Sequence, residues 1–272
     1  MAPLNIITFG GSRNIGYLAS VRLLEQGATV TFLLRSLSVF HNDQTIQKFV
    51  KSGSARLVKG DALVESDVRA AWDAAGVVDA AICSIGAVPE GFSVTKGIII
   101  KPYNLCTQTM LNILCTMPTY PDAPQPKLIF QSSIGVTPAA FASLPLLAKL
   151  VFLMLGMPAR DKAATERVIA HCAGWHWDPK KDGEPTVDMF GEGWKERSGL
   201  PAPGTLKHVL VVHAGILTDG RCKAEEGKGQ GYRVSETECG SWISRKDAAH
   251  FMVEILTRRW DEYENKRVNV TY

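Results

Sequence analysis

The sequence predicts an α/β protein built on a doubly wound parallel sheet. Short, continuous apolar runs alternate with helical stretches along the first two thirds of the chain, a pattern typical of parallel strands covered on both faces. Right-handed crossovers then wind the sheet in both directions. The 272 residues are 46% hydrophobic and 21% charged, so the chain can bury a sizeable core and is not disordered. We expect one domain over residues 1–272.

The elements of the first half follow in order. Residues 4–9 form an apolar run that predicts the first strand, and residues 15–26 have apolar positions at a helical period that ends at Gly27. Residues 28–34 are apolar and β-branched, which predicts a buried second strand. The remaining elements predicted here are a helix at 43–51, a strand at 55–58, a helix at 66–75 capped by Ser66 or Asp67, and a strand at 77–83.

The second half continues this alternation and then interrupts it. We predict a helix at 102–115, a strand at 127–131 that leads into Ser132 and Ser133, and helices at 144–155 and 160–172. Residues 178–207 are rich in proline and glycine and read as an irregular surface insert that Trp194 pins. The sheet resumes at 208–213, followed by a helix at 246–258 and a last strand at 267–272. We expect segments 133–177 and 208–250 to form the substrate-binding side of the domain.

One apolar stretch, residues 144–158, raises the question of a membrane. Lys149 interrupts it and Pro145 and Pro158 bracket it, and a span needs about 20 apolar residues. We expect a buried helix or the wall of an apolar pocket, in preference to a helix on a membrane surface.

Charge and cysteine usage exclude several classes of protein. Lys and Arg number 30 against 27 Asp and Glu, and this net charge of +3 does not indicate nucleic-acid binding. It is compatible with a local basic pocket that binds a phosphate. The six cysteines form no CxxC pair, so we expect no metal site and no disulfide framework. Free thiols indicate a reducing compartment, and the N-terminus reads as a strand instead of a signal peptide. We therefore expect a cytoplasmic protein.

A glycine-rich turn joins the first strand to the first helix. It reads Gly10-Gly11-Ser12-Arg13-Asn14-Ile15-Gly16. A diphosphate needs a turn where the backbone comes close and the N–H groups of a helix terminus point at the anion. Gly10 and Gly11 permit the turn, Gly16 lets the helix pack on the sheet, and Asn14 tolerates a left-handed conformation. Its place between a strand and a helix predicts dinucleotide binding.

The end of the second strand favours NADP(H) over NAD(H). It reads Leu34-Arg35-Ser36 without a carboxylate for ribose hydroxyls, and Arg35 offers a planar fork to a 2′-phosphate, with Arg13 as a second cation. The alternative interpretation of Arg35 is an ordinary surface arginine. Asp61, beside Ala62, is a candidate partner for the adenine amino group or else a turn residue. Small residues after strand four, Ser84, Ile85 and Gly86, allow the cofactor ribose to approach.

Together these residues resemble the short-chain dehydrogenase/reductase superfamily. The turn looks like the family's glycine motif with Asn14 in place of the middle glycine, and Asp61, 84–87 and 132–133 fall where the family keeps its adenine-binding Asp, its post-strand-four turn and its catalytic serine region. Segments 161–166, 214–220 and 243–249 are similar to the lysine helix and to parts of the atypical, NmrA-like, NAD(P)H-binding branch. The resemblance implies a Rossmann-like fold over the whole chain except 178–207.

The resemblance also implies catalytic roles, with one departure. Ser133, or Ser132, would hydrogen-bond a substrate oxygen, and Lys162 would hold the nicotinamide ribose. The family's proton donor is a tyrosine four residues before the lysine, where this chain has Pro158. Only the fold can bring a replacement, for which Tyr103, His213 and Tyr232 are the candidates. The alternatives are a capping role for Ser133 and a surface ion pair between Lys162 and Glu166.

The function that follows is an NADPH-dependent oxidoreductase that reduces a small apolar carbonyl, imine, enone or quinone. A dinucleotide-sensing NmrA-like regulator, or a non-redox enzyme on the same cofactor fold, is the alternative. We expect a small-molecule substrate, no nucleic-acid partner and no stable membrane span. The sequence makes no prediction of oligomeric state.

Overall fold

A computed structural model describes residues 3–86, 88–93, 95, 97–227, 231–237 and 240–272. Ala87 and Cys239 therefore lie outside the described residues. The strands are β1 (Asn5–Phe9), β2 (Thr29–Leu34), β3 (Ala55–Lys59), β4 (Ala80–Cys83), β5 (Gly91–Ser93), β6 (Gly97–Ile99), β7 (Lys127–Ser133), β8 (Val209–Ala214), β9 (Ile216–Thr218), β10 (Arg233–Ser235), β11 (Trp242–Ser244) and β12 (Lys266–Thr271). The α-helices are α1 (Asn14–Glu25), α2 (Gln44–Lys51), α3 (Glu65–Ala75), α4 (Leu105–Thr116), α5 (Pro138–Ser143), α6 (Leu146–Met154), α7 (Gly156–Ala173), α8 (Val187–Phe190), α9 (Arg245–Arg258) and α10 (Trp260–Tyr263).

The central sheet confirms the predicted architecture. Within the described residues its order is β3-β2-β1-β4-β7-β8-β12-β10. The neighbouring strands from β3 to β12 all pair in parallel, and β10 is added antiparallel at the edge, which the sequence did not predict. The winding direction reverses between β1 and β4. A crevice for ligands forms beyond the carboxyl ends of strands at such a reversal.

Successive residues of each strand supply the two cores that flank the sheet. On β1, Ile6 packs into the core under α1 and α9, and Ile7 packs into the core under α3, α4 and α7. On β7, Ile129 and Phe130 divide in the same way. Strands buried on both faces read as continuous apolar runs, which is why the sequence showed them so clearly.

The cap predicted for the helix at 66–75 is wrong. The helix begins at Glu65, and its N-cap residue, Val64, makes no side-chain capping hydrogen bond. The Asp67 carboxylate instead accepts a hydrogen bond of 2.8 Å from the backbone N–H of Asp61. Asp67 therefore braces the preceding loop.

The expectation of a buried helix at 144–155 is also wrong. Pro145 starts a separate helix, α6, of which only Ala148 and Phe152 are buried. These two pack on a small cluster with Ile134 and Leu144. Leu146 and Leu147 are 75% and 70% exposed because the helix rests on the body of the protein along one stripe. No helix in the described part of the chain combines the length and apolar character that crossing a membrane requires.

The segment 178–207 lies against the α4 and α7 side of the sheet. It holds α8 and a single 3-10 turn at Trp194–Glu196. The ring of Trp194 stacks on Phe190 with centroids 4.8 Å apart and meets His171 edge-on at 5.1 Å. Trp194 thus fixes the segment to α7.

Candidate functional site

A cleft of about 650 Å³ opens at the carboxyl ends of the central strands. It runs from the loops after β2 and β3, past the turn after β1, to the ends of β7 and β8. The sequence-predicted residues that line it are Gly10, Ser12, Arg13, Asn14, Ile15, Arg35, Ser36, Asp61, Ala62, Ser84, Ile85, Gly86, Ser133 and Lys162.

The glycine turn has the conformation that its sequence predicts. Gly10 has φ +90° and Asn14 has φ +54°, so Asn14 adopts the left-handed conformation expected of it. Gly11 and Gly16 do not line the cleft but allow close packing. A Cβ on Gly11 would lie 2.6 Å from the Thr8 side chain, and one on Gly16 would lie 2.5 Å from the Gly10 carbonyl oxygen. Larger residues at these positions would force the turn away from β1 and β4.

The turn presents the N-terminus of α1 to the cleft. The first N–H groups of a helix have no partner within the helix, and its dipole favours an anion there. No acidic residue lies in the first turn of α1 to compete for these groups. Arg13 and Arg35 are both exposed and line the same cleft. This end of the cleft is therefore suited to phosphate groups.

Asp61 is both a turn residue and part of the cleft wall. Its carboxylate accepts a hydrogen bond of 3.0 Å from the Leu63 N–H. The carbonyl of the next residue, Ala62, accepts a 2.9 Å hydrogen bond from the Asn112 side-chain amide. These contacts fix the loop after β3.

An arginine of the segment 178–207 braces this wall from behind, a contact the sequence analysis missed. The Arg197 guanidinium donates to the Glu65 carboxylate at 2.7 Å and, through a short hydrogen bond, to the Asn112 side-chain oxygen. The Arg197 hydrogen bond is the largest cause that lowers the pKa of Glu65. No local sequence signal could reveal this pair, because the partners are more than 80 residues apart.

At the other end of the cleft, the alternation of β7 separates two neighbouring serines. Ser133 and Gln131 line the cleft, whereas Ser132 is fully buried on the opposite face. The Ser133 hydroxyl lies 3.5 Å from the Ala214 carbonyl oxygen. The Ser132 hydroxyl donates to the Glu166 carboxylate at 2.5 Å. Of the two serines, Ser133 is the one available to a ligand.

Lys162 reaches the cleft from α7. Its ammonium group donates to the Gln131 carbonyl at 2.7 Å and lies 5.5 Å from the centre of the Phe130 ring. The alternative of a surface ion pair with Glu166 is wrong, because that carboxylate is fully buried and bonds to Ser132 and His213.

The preceding residue, Asp161, fixes α7 to α4. Its buried carboxylate accepts hydrogen bonds from the backbone N–H groups of Cys106 at 2.7 Å and Thr107 at 2.9 Å. Asp161 thereby caps the N-terminus of α4 from another helix. Burial is the main cause that raises the pKa of Asp161.

None of the three candidate proton donors lines the cleft. Tyr103 donates to the Asp188 carbonyl at 3.2 Å, and Tyr232 bonds to His250 at 2.9 Å. The ring nitrogens of His213 lie 2.9 Å from Glu166 and 3.2 Å from the Asn269 side-chain oxygen. The register of β8 turns His213 toward α7, so the idea that it replaces the missing tyrosine is wrong for this cleft.

Thr109 of α4 is a further lining residue that the sequence analysis missed. It is fully buried, and its hydroxyl has no hydrogen-bond partner among the described residues. A buried hydroxyl without a partner is costly.

Comparison with known proteins places the fold. No protein-family model and no curated protein matches this chain. Solved structures match nearly all of it. ChuY, an anaerobillin reductase from Escherichia coli, is 15% identical with a TM-score of 0.58, covering 98% of this chain and 95% of its own. The oxidoreductase ylbE from Lactococcus lactis is 13% identical with a TM-score of 0.60, covering 98% and 90%.

A third match carries a bound dinucleotide. It is a short chain dehydrogenase from Burkholderia cenocepacia in complex with NADP, 14% identical with a TM-score of 0.58, covering 98% of this chain and 95% of its own. These likenesses show the class of fold: the chain has a Rossmann-like α/β fold, as these solved structures do. The fold that the sequence resemblance implies is confirmed.

Proposed function

We propose that the protein is an NADPH-dependent reductase of the short-chain dehydrogenase/reductase type. The observation that carries the proposal is one continuous cleft with a glycine turn and two arginines at one end and Ser133 and Lys162 at the other. The solved structures of oxidoreductases with this fold support it.

The residues present fit a nicotinamide dinucleotide. The turn at 10–16 would hold the pyrophosphate, Asp61 the adenine, and Ser84 and Gly86 would flank a ribose. Close packing at the turn leaves room for backbone but not for larger side chains, as the contacts of Gly16 show. Lys162 would hold the second ribose. The bound cofactor would supply a hydride to the substrate.

The absence of a carboxylate after β2 supports NADPH over NADH. Arg35 follows directly on that strand and lines the cleft. A guanidinium there complements the charge of a 2′-phosphate, whereas a bare ribose hydroxyl offers it no charge to pair with.

The lack of a tyrosine in the described lining favours quinones and enones among the proposed substrates. Reduction of a simple ketone leaves an alkoxide oxygen about as basic as hydroxide, so a proton donor is needed. A reduced quinone leaves a phenolate, whose pKa is about 10 as in tyrosine. The Ser133 hydroxyl and the Lys162 ammonium can stabilise such an anion without a dedicated acid. Val88 and Leu217 add apolar surface to the cleft.

Replacing Arg35 tests the cofactor proposal. We expect Arg35→Ala to weaken NADPH binding about tenfold or more, the value of a lost charge-assisted hydrogen bond, and to leave NADH binding nearly unchanged. Titration calorimetry with both cofactors measures this. Arg221→Ala is the control, because that side chain is 90% exposed and outside the cleft lining. Equal losses for both cofactors, or no NADPH binding by the unmodified protein, would contradict the proposal.

A panel of substrates tests the reaction. We expect NADPH oxidation with quinones and enones, little with simple aldehydes and ketones, and a loss of about tenfold or more in kcat/KM for Ser133→Ala and Lys162→Met. Turnover of simple ketones at comparable kcat/KM would contradict the substrate class.

The lack of a tyrosine proton donor in the described cleft lining also favours a second candidate. This candidate is a dinucleotide-sensing regulator or a non-redox enzyme on the same fold. Tight NADPH binding without turnover of any carbonyl, enone or quinone, together with a protein partner captured only in one redox state of the cofactor, would establish the regulator. Product formed with oxidised cofactor and no net redox change would establish the non-redox enzyme.

We also propose a reducing compartment such as the cytoplasm. All five cysteines in the described residues are buried and unpaired. Burial raises the pKa of Cys83 and of Cys172 to about 12, which makes these thiols unreactive.

A further inference from the structure

Helix α6 presents a large apolar surface that the other described residues leave uncovered. Five aliphatic side chains of this nine-residue helix are between 49% and 75% exposed: Leu146, Leu147, Leu150, Leu153 and Met154. Monomeric proteins rarely expose contiguous apolar patches above a few hundred Å², and larger ones mark interaction sites. We call these five residues the α6 face.

The short hairpin of β5 and β6 adjoins the α6 face. The α-carbon of Gly97 approaches the C-terminal end of α6 so closely that a Cβ there would collide with the Met154 carbonyl. Phe92, which pairs with Ile98 across the hairpin, is 57% exposed. The hairpin beside the helix therefore carries an exposed aromatic side chain of its own.

Cations outnumber carboxylates in the segments that contain this surface. Residues 91–121 and 123–160 contain no Asp or Glu, although the chain has 27 of them. The charged residues of these segments are Lys96, Lys101, Lys127, Lys149 and Arg160. Two of them lie elsewhere: Lys127 is at the far end of β7, over the Trp260 ring, and Arg160 lines a pocket that also contains carboxylates. Lys101 pairs at 3.4 Å with Glu90, whose backbone N–H bonds to Ile99 of the hairpin. Lys149 stands on α6 itself, and α6 contains no Asp or Glu.

We propose that the α6 face docks on the surface of a lipid bilayer that carries anionic headgroups. Leucine, methionine and phenylalanine have no hydrogen-bonding needs and enter the acyl boundary, while lysine stays at the headgroups. A nine-residue helix is too short to span a bilayer, so it lies in the plane of the interface. A second copy of the chain fits less well, since a symmetric contact of this face would place the Lys149 side chains of both copies at the interface with no carboxylate of α6 to pair with them.

Docking would bring the mouth of the cleft to the bilayer. Helix α6 packs on Ile134 and Ile216, and the adjacent residues Ser133 and Leu217 line the cleft. An apolar substrate dissolved in the bilayer would then enter from the membrane side. This consequence rests on the proposed function, whereas the docking itself does not.

Vesicle flotation of the full chain tests the docking. We expect the protein to float with vesicles of phosphatidylcholine and phosphatidylserine, and the double substitution Leu150→Ser, Leu153→Ser to weaken binding about tenfold. Val77→Ser, Val187→Ser is the matched control, because these valines are 59% and 58% exposed outside the α6 face. Vesicles of phosphatidylcholine alone should bind the unmodified protein less tightly. Lys149→Glu should weaken binding to the vesicles that contain phosphatidylserine and leave binding to phosphatidylcholine vesicles unchanged.

Several outcomes would overturn the proposal. One is no flotation of the unmodified chain, and another is an equal loss in the valine control. A third is a lipid-free dimer in sedimentation velocity that the leucine substitutions dissociate, without vesicle binding, because the second copy is then the occupant. NADPH titration of the same variants keeps the two proposals apart, since docking can fail while cofactor binding stays intact.

Discussion

At the start of α1, the backbone conformation of one residue shapes the turn that faces the cleft. Asn14 has φ +54°, in the left-handed region, at the first position of the helix. Most L-residues lose roughly 1–2 kcal/mol there because the Cβ meets a carbonyl oxygen. Asparagine loses less than a β-branched residue, since its short polar side chain bonds locally.

The direction in which a substitution of Asn14 changes the free energy of unfolding can therefore be predicted. We expect Asn14→Gly to keep the free energy of unfolding within about 0.5 kcal/mol and Asn14→Val to lower it by roughly 1–2 kcal/mol, with weaker NADPH binding. Urea unfolding measures the first quantity and titration the second. Gln44→Val is the control, because it changes the first residue of α2, which has no positive φ. A stable Asn14→Val variant with unchanged cofactor affinity would show that the turn does not depend on this conformation.

The residue scale also shows where sequence analysis ends. The left-handed Asn14 could be predicted because it follows from the chemistry of the motif itself. The choice between Ser132 and Ser133 could not, because it depends on which face of β7 meets the cleft. Likewise, the turn role of Asp61 and its place in the cleft wall are compatible, although the sequence posed them as alternatives.

At the scale of elements, the segment 178–207 is a brace for the cleft. Arg197 links Glu65 at the start of α3 to Asn112 of α4, and Asn112 holds the Ala62 carbonyl in the cleft wall. Asn112 is 3% exposed, so its side-chain oxygen depends on the arginine for a partner.

Removal of this brace should affect both stability and cofactor binding. We expect Arg197→Ala to lower the free energy of unfolding by about 1–3 kcal/mol, the cost of a buried acceptor left unsatisfied, and to weaken NADPH binding a few-fold. Arg69→Ala is the control, because Arg69 pairs with the same Glu65 at 3.3 Å but is 57% exposed. Chemical unfolding and titration of the two variants distinguish these effects. Equal, small losses in both variants would contradict a bracing role for Arg197.

The strands that the sequence did not predict were missed for a common physical reason. Strands β5, β6, β9, β10 and β11 have three residues each, too few to show a period. Helix α6 was predicted as a helix, but its exposure was not, because composition does not tell whether a partner surface exists in the chain. The long strands and helices were predictable because burial on both faces of the sheet leaves an apolar pattern in each of them.

At the scale of the whole molecule, one buried carboxylate joins the sheet to its helical layer. Glu166 of α7 bonds to Ser132 of β7 and, at 2.9 Å, to His213 of β8, which in turn contacts Asn269 of β12. Glu166 is fully buried. Burial raises its pKa most strongly, but the charge and hydrogen bond of His213 act against it, and the pKa of Glu166 lies below its usual value.

This cluster should make global stability depend on pH in a defined direction. A carboxyl group whose pKa is lower in the folded than in the unfolded state contributes stability above its unfolded pKa and loses it as the pH falls through the folded pKa. We expect Glu166→Gln to lower the free energy of unfolding at neutral pH by about 1–3 kcal/mol. As the pH falls, we expect the free energies of unfolding of Glu166→Gln and of the unmodified chain to become equal. Urea unfolding over a series of pH values measures this.

The exposed ion pair of Arg167 with Glu184 supplies the control for that experiment. Glu184 is 51% exposed, so Glu184→Gln should shift the curve by less than about 1 kcal/mol at every pH. A stability difference between Glu166→Gln and the unmodified chain that stays constant from neutral to acid pH would mean that lost packing, not charge, causes the change. Convergence instead would assign the acid sensitivity of the whole fold to the point where α7 meets β7 and β8, beside the lysine and serine proposed for the reaction.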